Sequence, residues 1–111
     1  MAKVFIVQEP TKYDHSSGQF VPYVNLAPAT EFGDLVFVLD PRHPVLDAAL
    51  VMSILDDKLK DFKPEDFLLP IGDPAAICMA GAVACRYSDT ITLLKWNKRE
   101  KKYVQVPFNV K

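Results

Sequence analysis

Residues 66–88 read DFLLPIGDPAAICMAGAVACRYS, and this stretch decides the fold class. Its first part, residues 66–72, is a short apolar run of the kind that forms a strand. Asp73 then offers a side chain that can cap a helix, and Pro74 suits the first helical position. The residues that follow, to about Ser88, are almost all small or apolar, so this helix can pack closely against a sheet. A strand that leads into such a helix indicates an α/β fold.

The same alternation of strands and helices extends on both sides of this stretch. Apolar runs at Lys3–Gln8, Asp34–Leu39 and residues 90–96 predict three further strands. The first two runs show little polar alternation, which predicts interior strands covered on both faces. Helical spacing of apolar residues over 44–62 predicts an amphipathic helix, and residues 28–32 predict a short connector helix.

Two further segments predict the margins of the sheet. The polar residues 97–102 separate two extended runs, 90–96 and 103–108, which predicts an antiparallel hairpin. Residues 20–24 follow a polar turn and could pair with the first strand, although Pro22 restricts them to an edge. The whole pattern predicts one α/β domain over residues 1–111, with a mostly parallel sheet of about five strands, helices packed on it and a C-terminal antiparallel hairpin.

The composition is that of a soluble globular protein. The 111 residues carry a net charge of −1, half of them are apolar and 24% are charged. No excess of positive charge would draw the chain to nucleic acid or to an anionic membrane. The longest weakly polar run, residues 74–85, is shorter than the ~20 residues of a membrane span. The apolar run at residues 4–7 is too short for a secretion signal, so we expect a cytoplasmic protein.

The cysteines and histidines predict neither a disulfide nor a metal site. Cys78 and Cys85 lie on one predicted helix, roughly 10 Å apart along its axis and beyond disulfide reach. We expect them to be buried as small apolar residues, which fits a reducing compartment. His15 and His43 are isolated and have no ligand spacing typical of zinc. We therefore expect no metal and no cofactor.

Two loops are the candidate site for a small ligand or nucleotide. Residues 40–44 and 72–76 follow strands, and ligands of open parallel sheets bind beyond the carboxyl ends of the strands. The candidate ligand-binding residues are Asp40, Arg42, His43, Gly72 and Asp73. The alternative is structural, because Asp73 can cap the helix, Pro74 removes an amide that a phosphate would use, and a histidine between two prolines is commonly a solvated loop residue. No glycine-rich phosphate motif is present.

The predicted hairpin tip is a second alternative site. Its candidate nucleic-acid contacts are Lys98, Arg99, Lys101 and Lys102. Trp96 and Tyr103 flank these cations, and aromatic side chains beside cations are typical of single-strand binding. The alternative is a solvated tip whose charges protect the sheet margin from aggregation. Because the net charge of the chain is close to zero, we expect no nucleic-acid partner.

Protein binding is the function that these observations favour. No serine lies in a nucleophile motif, and no residue combination supports catalysis, so the balance is against an enzyme. Aromatic residues at the predicted sheet margins are typical of interface anchors. The candidate interface residues are Phe20, Tyr23, Trp96, Tyr103 and Phe108. They would bind a partner protein or a second copy in a homo-oligomer.

Short phrases along most of the chain carry a resemblance to a family. Residues 3–11, 32–36, 66–74 and 93–97, together with Tyr103, resemble small uncharacterised proteins encoded by tailed bacteriophages. The resemblance implies no enzyme activity, cofactor or catalytic residue. It implies a small accessory protein that acts in the cytoplasm of the infected host, by binding a host or phage protein or itself.

Overall fold

The computed structural model describes residues 2–110, and a five-stranded sheet forms its centre. Within these described residues, seven strands, one short 3-10 helix and two α-helices follow one another. In chain order they are β1 (Lys3–Gln8), β2 (Thr11–Asp14), β3 (Gln19–Pro22), the 3-10 helix (Ala27–Glu31), β4 (Asp34–Leu39), α1 (Ala48–Leu59), β5 (Phe67–Leu69), α2 (Pro74–Tyr87), β6 (Thr90–Asn97) and β7 (Lys102–Asn109).

The central sheet has the order β4-β1-β5-β6-β7. The first four strands run parallel, whereas β7 pairs antiparallel with β6. The predicted α/β fold is therefore confirmed: a mostly parallel sheet with helices packed on it and a C-terminal antiparallel hairpin. Neither helix within residues 2–110 has the length and apolar character needed to cross a membrane.

Alternate residues of the strands build two separate cores, one on each face of the sheet. Helices α1 and α2 cover one face, which we call the helix face, over Phe5, Val7 and Leu68. The 3-10 helix and its flanking residues cover part of the other face, where Val4 and Ile6 are fully buried. Because β1 is buried on both sides, its apolar run shows no polar alternation, as predicted for an interior strand.

Aspartate caps set the starts of both α-helices. The Asp73 carboxylate accepts hydrogen bonds from the backbone N–H groups of Ala75 and Ala76, and α2 begins as predicted. The Asp47 carboxylate accepts from the N–H of Leu50, so α1 begins only after this residue. The prediction of a helix over residues 44–62 was too long because the cap lies three residues inside its predicted start.

Two strand predictions were wrong. β4 is an edge strand and not an interior one, and its Phe37 side chain is 44% exposed. The residues around Phe20 pair with β2 instead of β1, in a separate two-stranded sheet. Both edges of β1 are occupied by β4 and β5, so β1 has no edge left for them. Gly18, with a φ of +71°, allows the tight turn that joins β2 to β3.

The expectation that both cysteines are buried was also wrong. Cys78 is exposed, and Cys85 is half-buried. The buried face of α2 consists of Ala76, Ala80, Val83 and Ala84. An almost uniformly apolar helix gives no polar side to mark its outer face, so its sequence did not distinguish the two sides.

Candidate functional site

A groove of about 780 Å³ opens on the sheet face opposite the two helices. One wall comes from Tyr23, Val24 and Pro28, between β3 and the 3-10 helix. The rest comes from the end of β5 and from the β6–β7 hairpin. These residues are Leu69, Pro70, Ile71, Leu94, Trp96 and Tyr103, with Asn25, Leu93, Lys95 and Val106 at the margins. Pro70 lies just after β5 and does not interrupt its pairing, which explains a proline beside an apolar strand.

The groove exists because its face of the sheet is only partly covered. The 3-10 helix buries Ala29 completely and contacts β4 and β7, the two edge strands of the sheet. No α-helix lies on this face within residues 2–110, since α1 and α2 both pack on the helix face. The short 3-10 helix leaves Trp96 on β6 and Tyr23 on the opposite wall exposed to solvent.

Trp96 and Tyr103 form the aromatic end of the groove. They are cross-strand partners in the β6–β7 hairpin, and their rings meet edge to face with centroids 4.9 Å apart. Tyr103 is only 6% exposed, whereas Trp96 is 40% exposed. Burial raises the pKa of the Tyr103 hydroxyl above its usual value, which favours the neutral form. Tyr23, 56% exposed, belongs to the opposite wall. Three of the five candidate interface residues thus line one groove.

The other two candidate interface residues lie elsewhere. Phe20, on β3, packs against Tyr13 and lies beneath the Arg42 guanidinium, whose central carbon is 3.6 Å from the ring centroid. Phe108, on β7, is paired with Ile91, which belongs to the core beneath the helices. Phe108 therefore lies on the helix face of the sheet, where it is 43% exposed.

The two candidate ligand-binding loops converge on the side chain of Gln8, the last residue of β1. Its Nε2 donates to the carbonyl oxygens of Asp40 (3.1 Å) and His43 (3.0 Å). Its Oε1 accepts from the backbone N–H of Asp73 at 3.3 Å. Gly72, with a φ of +111°, lies so close that a Cβ there would be 2.5 Å from the Gln8 carbonyl oxygen. The space between the loops is thus occupied by Gln8 itself.

The charged groups of these loops are engaged in local contacts. The Asp40 carboxylate accepts from the backbone N–H of Arg42, and the Asp73 carboxylate accepts from the first N–H groups of α2. The Arg42 guanidinium stacks on Phe20. Sequence reasoning placed these loops together but missed Gln8. The one available signal was its amide side chain, which can bridge backbone groups, at the end of a predicted buried strand.

The hairpin tip carries the candidate nucleic-acid residues and is strongly basic. Residues 95–102 hold five Lys or Arg and one Glu, a net charge of +4, whereas the whole chain carries −1. The Asn97 side chain accepts from the N–H groups of Arg99 and Glu100 and thereby shapes the turn. A small depression at the tip is lined by Trp96, Lys98 and Arg99 among others, and Lys95 and Trp96 also line the groove.

Nothing in the described part of the chain forms a metal-binding cluster: no three His, Cys, Asp or Glu residues of residues 2–110 are placed to hold an ion together. Every buried polar side-chain atom among them has a hydrogen-bond partner.

The fold and the groove define a small α/β protein in which helices cover one sheet face and an apolar groove remains on the other. Residues 2–110 match the model of the family described as Phage Pam3 gp32-like protein, and the chain belongs to this family. The match confirms the resemblance to phage proteins. No curated protein and no solved structure matches the chain.

Proposed function

We propose that this phage protein is a non-enzymatic accessory protein that binds another protein by holding an apolar segment of it in the groove. The observation that carries the proposal is the apolar groove itself, about 780 Å³ in volume and open to solvent. Contiguous apolar surface on a soluble protein commonly marks an interaction site. Aromatic residues in a concave surface are the typical anchors of such sites.

The exposed aromatic rings indicate how much the groove can contribute to binding. Tyr23 and Trp96 keep about half of their surface exposed. If a partner covers the exposed part, roughly 100 Å² of each ring is removed from water. This burial is worth about 2–3 kcal/mol of binding free energy per ring, at about 25 cal/mol per Å². These values lie in the range of interface hot spots. Losses of side-chain and rigid-body freedom offset part of this gain, which favours a moderate affinity.

The alternative, a small-ligand or nucleotide site at residues 40–44 and 72–76, receives less support. The Gln8 side chain forms hydrogen bonds with the backbone of both loops, and the carboxylates of Asp40 and Asp73 accept hydrogen bonds from backbone amides. A ligand there would have to displace these hydrogen bonds. The groove needs no such rearrangement.

Photo-crosslinking in phage-infected bacteria tests the proposal. The photoreactive amino acid p-benzoylphenylalanine replaces Tyr23 or Trp96 in the groove, and Tyr87 on the helix side serves as the matched aromatic control. We expect a discrete adduct from the two groove positions and none from Tyr87. Mass spectrometry distinguishes a host or phage partner from a second copy, and either one supports binding at the groove. Equal labelling from all three positions, or no adduct, would contradict the proposal.

A further inference from the structure

We infer that the segment held in the groove is acidic as well as apolar, and that the β6–β7 hairpin supplies the cations that pair with it. The inference rests on the proposed function and adds the chemistry of the partner. It follows from the position of the basic tip, which we define as Lys95, Lys98, Arg99, Lys101 and Lys102, beside the groove.

The basic tip follows directly, along the β6–β7 hairpin, from the aromatic end of the groove. Lys95 and Trp96 line both the groove and the depression at the tip. Lys95 is the only charged residue among those that line the groove in the described part of the chain, but its position between Leu94 and Trp96 places its side chain on the helix face. The cations of the turn, at residues 98–101, are therefore the ones that can reach a segment in the groove. Lys12 adds a further cation near the opposite wall, because its Nζ lies 5.9 Å from the ring centroid of Tyr23.

The cations of the basic tip are available to a partner. All five side chains are exposed, and within residues 2–110 Lys102 alone of the five forms an ion pair, with Glu100 at 3.7 Å. Their concentration is local, since the chain outside residues 95–102 carries a net charge of −5. Exposed pairs contribute little affinity each, but a cluster of one sign steers and orients an oppositely charged partner.

A single-stranded nucleic acid could bind the same cations as an acidic protein segment, and the groove distinguishes these two kinds of partner. Strand binding relies on aromatic faces on which bases stack. Here Tyr103 is buried, and much of the groove wall is aliphatic side chains and prolines, which suit leucine-like side chains better than bases. The negative charge of the rest of the chain also opposes a polyanion. These observations favour an acidic, apolar protein segment.

Fluorescence anisotropy with defined probes tests the inference. The main probe is a labelled peptide, Asp-Glu-Phe-Leu-Asp-Leu-Phe-Glu. One matched peptide has lysine at every acidic position, and a second has serine at every apolar position. Labelled oligothymidylate is the nucleic-acid probe. We expect the acidic, apolar peptide to bind at least tenfold more tightly than the other three probes, at physiological salt.

Matched charge variants locate the effect. The triple variant Lys98→Gln, Arg99→Gln and Lys101→Gln should bind the acidic, apolar peptide about tenfold more weakly, which is the size of effect expected when three exposed ion pairs with the peptide are lost. The control Lys58→Gln, Lys60→Gln and Lys63→Gln, which removes three exposed cations from the helix side, should bind normally.

The outcomes separate this inference from the proposed function. Equal binding of the acidic and basic apolar peptides, both weakened by Trp96→Ala, would overturn the inference and leave the proposed function intact. Tighter binding of oligothymidylate, lost in the triple variant, would overturn the inference in favour of nucleic acid. Failure of both apolar peptides to bind would count against the proposed function itself.

Discussion

Replacing Gln8 with alanine should loosen the junction between the two loops at the ends of β1 and β5. The variant loses three hydrogen bonds, to the Asp40 and His43 carbonyl oxygens and from the Asp73 N–H. Each is worth about 0.5–1.5 kcal/mol net, and the partners left behind are partly buried, so we expect a loss of about 2–4 kcal/mol in the free energy of unfolding.

Urea denaturation followed by circular dichroism measures this loss. With a slope of about 2 kcal/mol per molar urea, the middle of the usual range for small proteins, the midpoint should fall by roughly 1–2 M while the slope stays constant. Gln105→Ala is the matched control, because Gln105 is exposed on the edge strand β7. A loss in Gln8→Ala no larger than in Gln105→Ala would refute the assignment of Gln8 as the structural link between the loops.

Three further predictions concern other contacts of the fold. Gly72→Ala should lower the free energy of unfolding by at least about 2 kcal/mol, because the residue has a φ of +111° and its new Cβ would meet the Gln8 carbonyl oxygen; unchanged thermal stability would contradict this. Asp66→Ala should cost about 2–4 kcal/mol in urea denaturation, since its buried carboxylate accepts from backbone N–H groups at the start of β1 and before β5. The hydrogen bond to Asp56 raises the pKa of Tyr87 above the usual tyrosine value of 10.0. The contribution of this hydrogen bond to the stability of the fold is therefore complete below pH 10.0, and it is lost as the pH rises through the folded-state pKa. The melting temperature of Tyr87→Phe should therefore fall less at alkaline pH than that of the unmodified chain. Identical pH profiles of the two melting temperatures would argue against this contact.

Local sequence patterns predicted the type of most elements but not the position of each strand in the sheet. The runs Lys3–Gln8 and Asp34–Leu39 look alike, yet β1 is central and β4 is at the edge. Strand order depends on which face each connection crosses, and that information is distributed over the whole chain. Caps had a clear local signal at Asp73, where the prediction of the helix start was accurate.

The groove was only partly predictable because its residues come from distant parts of the chain. Aromatic composition identified Tyr23, Trp96 and Tyr103 as candidates, but not that they meet across the open sheet face. Phe108 could have been separated from them, since it lies five residues after Tyr103 and an odd spacing along a strand places side chains on opposite faces. Gln8 was missed because its role depends on loops far away in sequence.

Backbone amide chemical shifts during titration with the acidic, apolar peptide give the most direct test of the groove as the binding site. We predict that the changes concentrate at residues 23–28, 69–71 and 94–103, which form the groove and the basic tip. Changes centred on α1 and α2, or on the loops at residues 40–44 and 72–76, would contradict the account, as would a titration that leaves the groove residues unmoved.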